Sequence, residues 1–355
     1  MKRNSISHEN NFNLIRLLAA LQVVVWHSNE HLNLGINDRV IDFISYFPGV
    51  PIFFTISGFL IINSYYRNSD IRQYTINRLL RIYPALWVSL IFTIILLIIF
   101  GILNMSNIFS KSFLAYLLTQ ISFFQFYTPD ILRSWGVGTP NGSLWTIVVE
   151  LQFYLILPFL ANLIRKNELF IYLFMGLSLL INILLRVQVE SVFIKLIRVS
   201  ILPYFFYFLI GIVAYKYWAK IKKNIIGKGM YWLSLYFIYI LITNYLGLYK
   251  PSYNPNFYGF LGNLILSGLI LSLAYSKVKL TNKILGNNDF SYGMYIYHMI
   301  IVNSVLSIDY LNNKFLNFII VLVSTILLSY LSWNFIEYPI LNIKKKIYTK
   351  IKGKI

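Results

Sequence analysis

Two ionisable residues stand within the first hydrophobic stretch of the chain, and their types and spacing suit acid–base or anion-binding chemistry. The stretch runs from Phe12 to Ser28 and contains Arg16 and His27, eleven residues apart. In a helix, eleven steps of 100° come to three turns plus roughly 20°, so both side chains project from one face, about 16 Å apart along the axis. Since Arg in hydrocarbon costs roughly 2.5–3.5 kcal/mol even on lenient scales, we expect this face to line a bundle interior or a wet cavity. The structural alternative is a snorkelling Arg16 and a His27 bonded to a carbonyl.

Glu150 is the one acidic residue that lies well inside a hydrophobic run. A carboxylate in that setting is either uncharged or paired, so we expect it to orient His27, to neutralise Arg16 or to brace helices. The run begins after Asn141-Gly142-Ser143, which makes Ser143 a candidate N-cap.

Four further residues carry candidate chemistry. Arg78 and Arg81 stand three residues apart before Ile82-Tyr83-Pro84, so a helical turn presents both from one face. They are either an ordinary cytoplasmic basic signal or a clamp for phosphate oxygens. His298, in the run SYGMYIYHMII, is either a hydrogen-bonded structural residue or a catalytic one. Glu337 closes the last hydrophobic run, where we expect it to pair with a cation.

The elements that must position these residues are membrane helices. Of the 355 residues, 58% are hydrophobic and 12% are charged, and the mean hydropathy is +0.65. The apolar residues form runs of roughly 18 to 23, the length a helix needs to cross about 30 Å of hydrocarbon. The composition therefore predicts an all-α, polytopic transmembrane helical bundle. Because the chain has no Cys, it has no disulfides, thiol nucleophile or thiolate ligands.

We predict about ten spans and one short interfacial or re-entrant helix. The spans are 12–29, 45–66, 82–101, 143–164, 169–186, 200–217, 230–248, 257–275, 290–308 and 315–337, and the short helix is 112–127. The second span holds Pro48, Gly49, Pro51 and Ser57-Gly58, a broken pattern that is tolerated where the backbone packs closely or lines a cavity.

The distribution of cations predicts the orientation. With the N-terminus inside, 22 of the 31 Lys and Arg fall in inner segments and eight in outer ones, so both termini are expected to be cytoplasmic. We predict one integral membrane domain, 1–340, followed by a basic cytoplasmic tail, 341–355. The net charge of +19 is explained by topology and anionic lipid, not by nucleic-acid binding. Four His are too few for a convincing metal cage, and no phosphate-binding glycine loop, HExxH or GxSxG occurs.

Several short motifs occur in order along nearly the whole chain. They are Arg16-x10-His27, the segment FFTISGFL at 53–60, Arg78-x-x-Arg81 with Ile82-Tyr83-Pro84, Ser143-Leu144-Trp145 with Glu150 and Tyr154, Ser291-Tyr292-Gly293 with His298, and Asn334-Phe335-x-Glu337-Tyr338-Pro339. With this set the sequence resembles acyltransferase family 3, bacterial membrane enzymes that acylate cell-envelope carbohydrates. Thr55 and Leu151 depart from the usual pattern, since many relatives have an apolar residue and a second Glu there.

The resemblance implies a membrane O-acyltransferase that moves an acyl group, expected to be acetyl, from acyl-coenzyme A to a hydroxyl of an envelope polysaccharide. It implies no permanently bound cofactor, a place in the bacterial inner (plasma) membrane, and polysaccharide-synthesis proteins as partners beside membrane lipid. The expected roles are catalysis by His27, as general base or acyl carrier, with Glu150 holding its tautomer; donor binding by Arg16, Arg78 and Arg81; and acceptor or supporting contacts from Ser57, Asn141, Ser143, Trp145 and His298. The alternatives are a polysaccharide exporter or flippase without acyl transfer, and a structural partner in a synthesis complex.

Overall fold

The fold is all-helical, as predicted. A computed structural model describes residues 9–185, 191–248, 257–277, 279–286, 288–308 and 313–343, and these contain no β-strand. Within the predicted tail, residues 344–355 lie outside the described part.

Fifteen α-helices occur in the described part. They are α1 (Phe12–Leu32), α2 (Asp38–Ser45), α3 (Gly49–Arg67), α4 (Ile71–Ile99), α5 (Lys111–Ile121), α6 (Trp145–Lys166), α7 (Leu169–Leu184), α8 (Val192–Arg198), α9 (Phe205–Lys216), α10 (Trp218–Ile225), α11 (Gly229–Tyr245), α12 (Phe257–Tyr275), α13 (Lys279–Leu285), α14 (Ser291–Leu306) and α15 (Lys314–Ser332). A π-helical segment, Trp333–Glu337, continues α15. Several helices start at side-chain caps: Asn37, Ser110, Ser191 and Asn313 each accept a bond from a main-chain N–H of the first turn.

The predicted number of about ten spans is not confirmed. A helix occurs at every one of the ten positions, but only five described segments are long and apolar enough to cross a membrane. They are Asp38–Arg67, Ile71–Ile99, Gly142–Lys166, Val192–Lys216 and Lys314–Ile343. A sixth results if α10 and α11, which meet at 86°, form one span. An apolar run marks a buried helix as well as a spanning one, and α14, for example, has only 16 residues.

Two helix boundaries differ from the prediction for a physical reason. The helix α4 begins at Ile71, eleven residues before the predicted span, because hydropathy marks the apolar part of a helix and misses its polar start. The short run 112–127 is helical only to Ile121. Its helix is short, as predicted, and its interfacial or re-entrant position stays a prediction.

The chain packs as two compact units. The first contains α1 up to Gln22, α2, α3, α6 from Val149 and α7 to α13. Its tightest packing joins α3 to α9: a Cβ added at Gly58 would overlap the main-chain carbonyl of Phe208, and one at Gly211 would overlap that of Thr55. Gly58, in the broken pattern of the second predicted span, therefore allows the close packing of α3 against α9.

The second unit contains α1 from Val23, α4, α5, the loop after α5, the start of α6 up to Val148, α14, α15 and the π-helical segment. Gly293 of α14 packs against the main chain of Ser329 of α15. Because α14 is buried along almost its whole length, every polar side chain on it must find a partner inside the unit.

Candidate functional site

Two histidines meet inside the second unit. The Nδ1 atom of His27, on α1, lies 2.9 Å from the Nε2 atom of His298, on α14. The two rings are nearly parallel, with an angle of 12° between their planes and 5.1 Å between their centroids. His298 is 0% exposed, whereas His27 is half-buried. A half-buried imidazole held by a fully buried one is an arrangement suited to proton transfer or nucleophilic attack.

His298 is itself anchored to its own helix. Its Nδ1 atom lies 2.7 Å from the main-chain oxygen of Tyr295, one turn earlier on α14. The sequence left His298 as either structural or catalytic, and the structure places it in direct contact with His27. A third histidine, His31, stacks on His27 with 5.8 Å between ring centroids. No group of three or more His, Asp or Glu within the described ranges is arranged to hold a metal ion.

The loop before α6 is bonded to the same helix. The Asn141 side-chain amide donates to the carbonyl of Ile296 at 2.7 Å, and Ser143 donates to the Asn141 side-chain oxygen at 2.7 Å. Ser143 lies within a 3-10 turn, Gly142–Leu144, and its hydroxyl bonds Asn141 and the Tyr295 carbonyl. The expected N-cap role of Ser143 is therefore wrong. Trp145, the first residue of α6, follows this turn and is half-buried.

Sequence reasoning missed Tyr295 and Asn303. The Tyr295 hydroxyl accepts from Thr146 at 2.7 Å and donates to the Ser143 carbonyl at 3.2 Å. Asn303 is 0% exposed and bonds three main-chain groups of the preceding loop: it accepts from the N–H of Val137 and donates to the carbonyls at positions 139 and 140. Asn303 in the apolar run HMIIVNSVL was a visible signal, because a lone amide in such a run requires partners.

Glu150 belongs to a network within the first unit. Its Oε1 atom accepts a bond from the Ser57 hydroxyl at 3.1 Å and a second from the hydroxyl of Tyr154, one turn later on α6. Glu150 is half-buried, and two hydroxyl donors stabilise a carboxylate at such a position. The side chain that the structure places in hydrogen-bond contact with His27 is His298, and the expected part of Glu150 in catalysis stays a prediction.

The three candidate donor-binding arginines differ in their surroundings. Arg16 is half-buried on α1 in the first unit. Arg78 and Arg81 both lie on α4, as their spacing predicted, and the Arg78 guanidinium is 5.9 Å from the centre of the Tyr74 ring. Arg81 instead forms an ion cluster with Asp289 and Glu337.

In this ion cluster, Arg81 pairs closely with Asp289 and lies 3.6 Å from a carboxylate oxygen of Glu337. The prediction that Glu337 pairs with a cation is confirmed. Asp289, which sequence reasoning missed, also accepts from the N–H and the hydroxyl of Ser291 at the start of α14. The cluster joins α4, α14 and the π-helical segment, and two carboxylates offset the charge of Arg81 locally.

The sequence is similar to a known protein family over nearly its whole length. A family model described as an acyltransferase domain, of acyltransferase family 3, matches residues 9–334. Nodulation protein 10 of Rhizobium leguminosarum bv. viciae is 32% identical over 362 residues, which cover 98% of this chain and 97% of that protein.

Two further relatives carry names that state an activity. The O-acetyl transferase of Shigella phage Sf6 is 28% identical over 93% of this chain and 96% of its own length. Peptidoglycan O-acetyltransferase OatA of Listeria monocytogenes serovar 1/2a is 26% identical over 92% of this chain, which spans 54% of that longer protein. No solved structure gives a significant match.

Proposed function

Because the chain belongs to acyltransferase family 3 and is an acyltransferase, we propose that it moves an acetyl group from acetyl-CoA to a hydroxyl of an envelope polysaccharide. Two relatives with O-acetyltransferase in their names support the acetyl group and an oxygen acceptor. The observation that carries the proposal is the imidazole pair of His27 and His298, since a half-buried His with one ring nitrogen held by a buried partner has the other nitrogen left for chemistry.

The reaction needs one proton acceptor that later becomes a donor. In direct transfer, His27 removes the hydroxyl proton while that oxygen attacks the thioester carbonyl; the C–S bond breaks, and the proton passes from His27 to the thiolate. In the two-step route, the His27 nitrogen attacks the thioester carbonyl and the C–S bond breaks, which leaves an acetyl-imidazole and the CoA thiolate. The sugar oxygen then attacks the acetyl carbon, the C–N bond to His27 breaks, and the hydroxyl proton passes to the thiolate. Both routes end in an ester and a free CoA thiol, and both need a neutral His27 with an available lone pair.

We assign the donor phosphates to arginines. Arg78 and Arg81 share a face of α4 near its start. Because Arg81 is already paired with two carboxylates, we propose Arg78 first, and the donor-binding roles of Arg81 and Arg16 stay predictions. A guanidinium fork matches phosphate oxygens better than an ammonium does. If Arg78 binds the donor in this way, Arg78→Lys raises the KM for acetyl-CoA at least ~10-fold while leaving kcat nearly unchanged. An unchanged KM would remove Arg78 from the donor site.

The cellular setting follows from the same proposal. Acetyl-CoA is a cytoplasmic metabolite, and the excess of cations in alternate loops fits cytoplasmic termini. We therefore place the protein in the bacterial inner (plasma) membrane, where the acceptor is a carbohydrate in transit to the envelope and polysaccharide-synthesis proteins are its partners. We propose no permanently bound cofactor, because acyl transfer between a thioester and a hydroxyl requires none.

The test uses purified full-length protein in lipid nanodiscs with acetyl-CoA and the host's envelope polysaccharide. We expect the purified protein to release CoA only when the acceptor is present. In cells, mass spectrometry should find acetyl esters on the glycan only when the gene is present. His27→Ala should abolish transfer without lowering protein abundance. Glycan export that depends on the gene, without acetyl esters or CoA release, would contradict the proposal and favour an exporter.

A further inference from the structure

We infer that His298 is a positioning residue that fixes the tautomer of His27, so that Nε2 of His27 is the atom that takes the proton or the acyl group. The inference rests on the proposed function for what that atom does, but the tautomer itself follows from geometry and is measurable without activity.

The first step is the proton on His298. Its Nδ1 atom lies 2.7 Å from the main-chain oxygen of Tyr295, and a carbonyl oxygen can only accept. Nδ1 of His298 therefore carries a hydrogen. The ring is 0% exposed, and no carboxylate pairs with it within the described residues, so a buried positive charge would be uncompensated. A neutral ring with hydrogen on Nδ1 has a lone pair on Nε2.

The second step passes this constraint to His27. Because Nε2 of His298 can only accept, Nδ1 of His27 must donate across the 2.9 Å separation. The 12° angle between the rings suits this bond, since the lone pair of an imidazole nitrogen lies in the ring plane. The separation is also shorter than a face-to-face stacking contact. His27 then has its hydrogen on Nδ1 and its lone pair on Nε2.

The third step concerns the state after proton uptake. When Nε2 of His27 takes a proton, the imidazolium keeps its Nδ1–H bond to the lone pair of His298, which strengthens because the donor is now charged. His298 thus supports the charged state without being charged itself. A neutral partner suits an apolar interior, where a permanently ionised carboxylate would need a counter-charge before any substrate arrives.

The tautomer is tested directly by nitrogen NMR. The chain has four His, so the His8→Gln/His31→Gln protein retains only His27 and His298. With 15N-labelled histidine, we expect both remaining rings to show a protonated Nδ1 and an unprotonated Nε2 at neutral pH. A His27 ring with its hydrogen on Nε2 would overturn the inference whether or not the protein transfers acetyl groups. If the tautomer is as inferred but no CoA is released, only the proposed function fails.

The positioning role is tested by two substitutions of His298. The amide of His298→Gln can still accept from His27 and donate to the Tyr295 carbonyl, whereas His298→Leu can do neither. We expect His298→Leu to lower kcat ~100-fold or more with little change in the KM for acetyl-CoA, and His298→Gln to stay within ~10-fold of wild type. His31→Gln is the comparison variant, because His31 stacks on His27 without a hydrogen bond to it, and it should lower kcat far less than His298→Leu does.

The two variants also separate positioning from packing. If His298 only fills space, His298→Leu should lower kcat no more than His298→Gln does. That result would overturn the positioning role. Equal loss in His31→Gln would overturn it as well, since that residue lies outside the chain of hydrogen bonds. Protein abundance and gel-filtration profile are recorded for each variant, and the NMR measurement on unaltered His298 decides the tautomer if His298→Leu does not fold.

Discussion

Replacing Asn303 by Leu should destabilise the second unit strongly, although the two side chains are close in size. Asn303 is fully buried and makes three bonds to main-chain groups of the loop 137–140, at 2.8, 3.0 and 3.0 Å. Each hydrogen bond contributes about 0.5–1.5 kcal/mol net, and the freed main-chain groups stay buried. We therefore expect a loss of about 2–5 kcal/mol in the free energy of unfolding.

Thermal unfolding in mild detergent, followed by tryptophan fluorescence, measures this change. The matched control is Ser304→Ala on the same helix, which removes one hydroxyl bond to a carbonyl within the helix and should cost about 1 kcal/mol or less. Asn303→Leu should therefore lower Tm clearly more than Ser304→Ala does. Equal Tm values for the two variants would refute the reasoning, because they would mean that the loop is held without Asn303.

Three further predictions concern other parts of the chain. Gly211→Ala should lower the free energy of unfolding by about 1–3 kcal/mol, because the added Cβ would overlap the main chain of α3. Gly176→Ala is the control and should be neutral, because the space around Gly176 is open. Equal Tm values for the two variants would contradict this packing. Hydrogen bonding to Lys216 lowers the pKa of Glu168 in the folded protein. The ionised carboxylate therefore stabilises the fold at pH values above the ordinary pKa of Glu, and this contribution is lost as the pH falls through the lowered pKa of the folded state. Glu168→Gln should therefore flatten the acid limb of Tm against pH, and parallel curves would exclude the effect. Asp289→Asn removes one of two carboxylates from the ion cluster and should cost about 3 kcal/mol by thermal unfolding; an unchanged Tm would show that the remaining carboxylate suffices.

The sequence predicted helices well because apolar runs are local signals. The helix α12, for instance, ends at the predicted residue, Tyr275. The same signal does not separate spanning helices from buried ones, so the predicted number of about ten spans is not confirmed. It also missed the polar first eleven residues of α4, since hydropathy responds to apolar content and not to helical hydrogen bonding.

The site was predictable as a set of residues and not as a set of partners. Arg16 and His27 stood out because ionisable residues in apolar runs need a reason. The contact between His27 and His298 spans 271 positions of sequence, and no local pattern encodes such a pairing. The ion pair of Glu337 was expected, but its cation, Arg81, could be identified only once the helices were packed.

The helix α14 explains why these partners are where they are. It presents Tyr295, His298 and Asn303 to three different neighbours: the start of α6, the second half of α1 and the loop 137–140. A polar network in which each member is bonded makes a buried region rigid, because moving one bond breaks others. His298 is therefore the residue of α14 that holds His27, while Tyr295 and Asn303 hold the helix against the start of α6 and the loop 137–140. The catalytic role that we propose for His27 requires this rigidity, since its lone pair must meet the reacting atoms within about 0.5 Å.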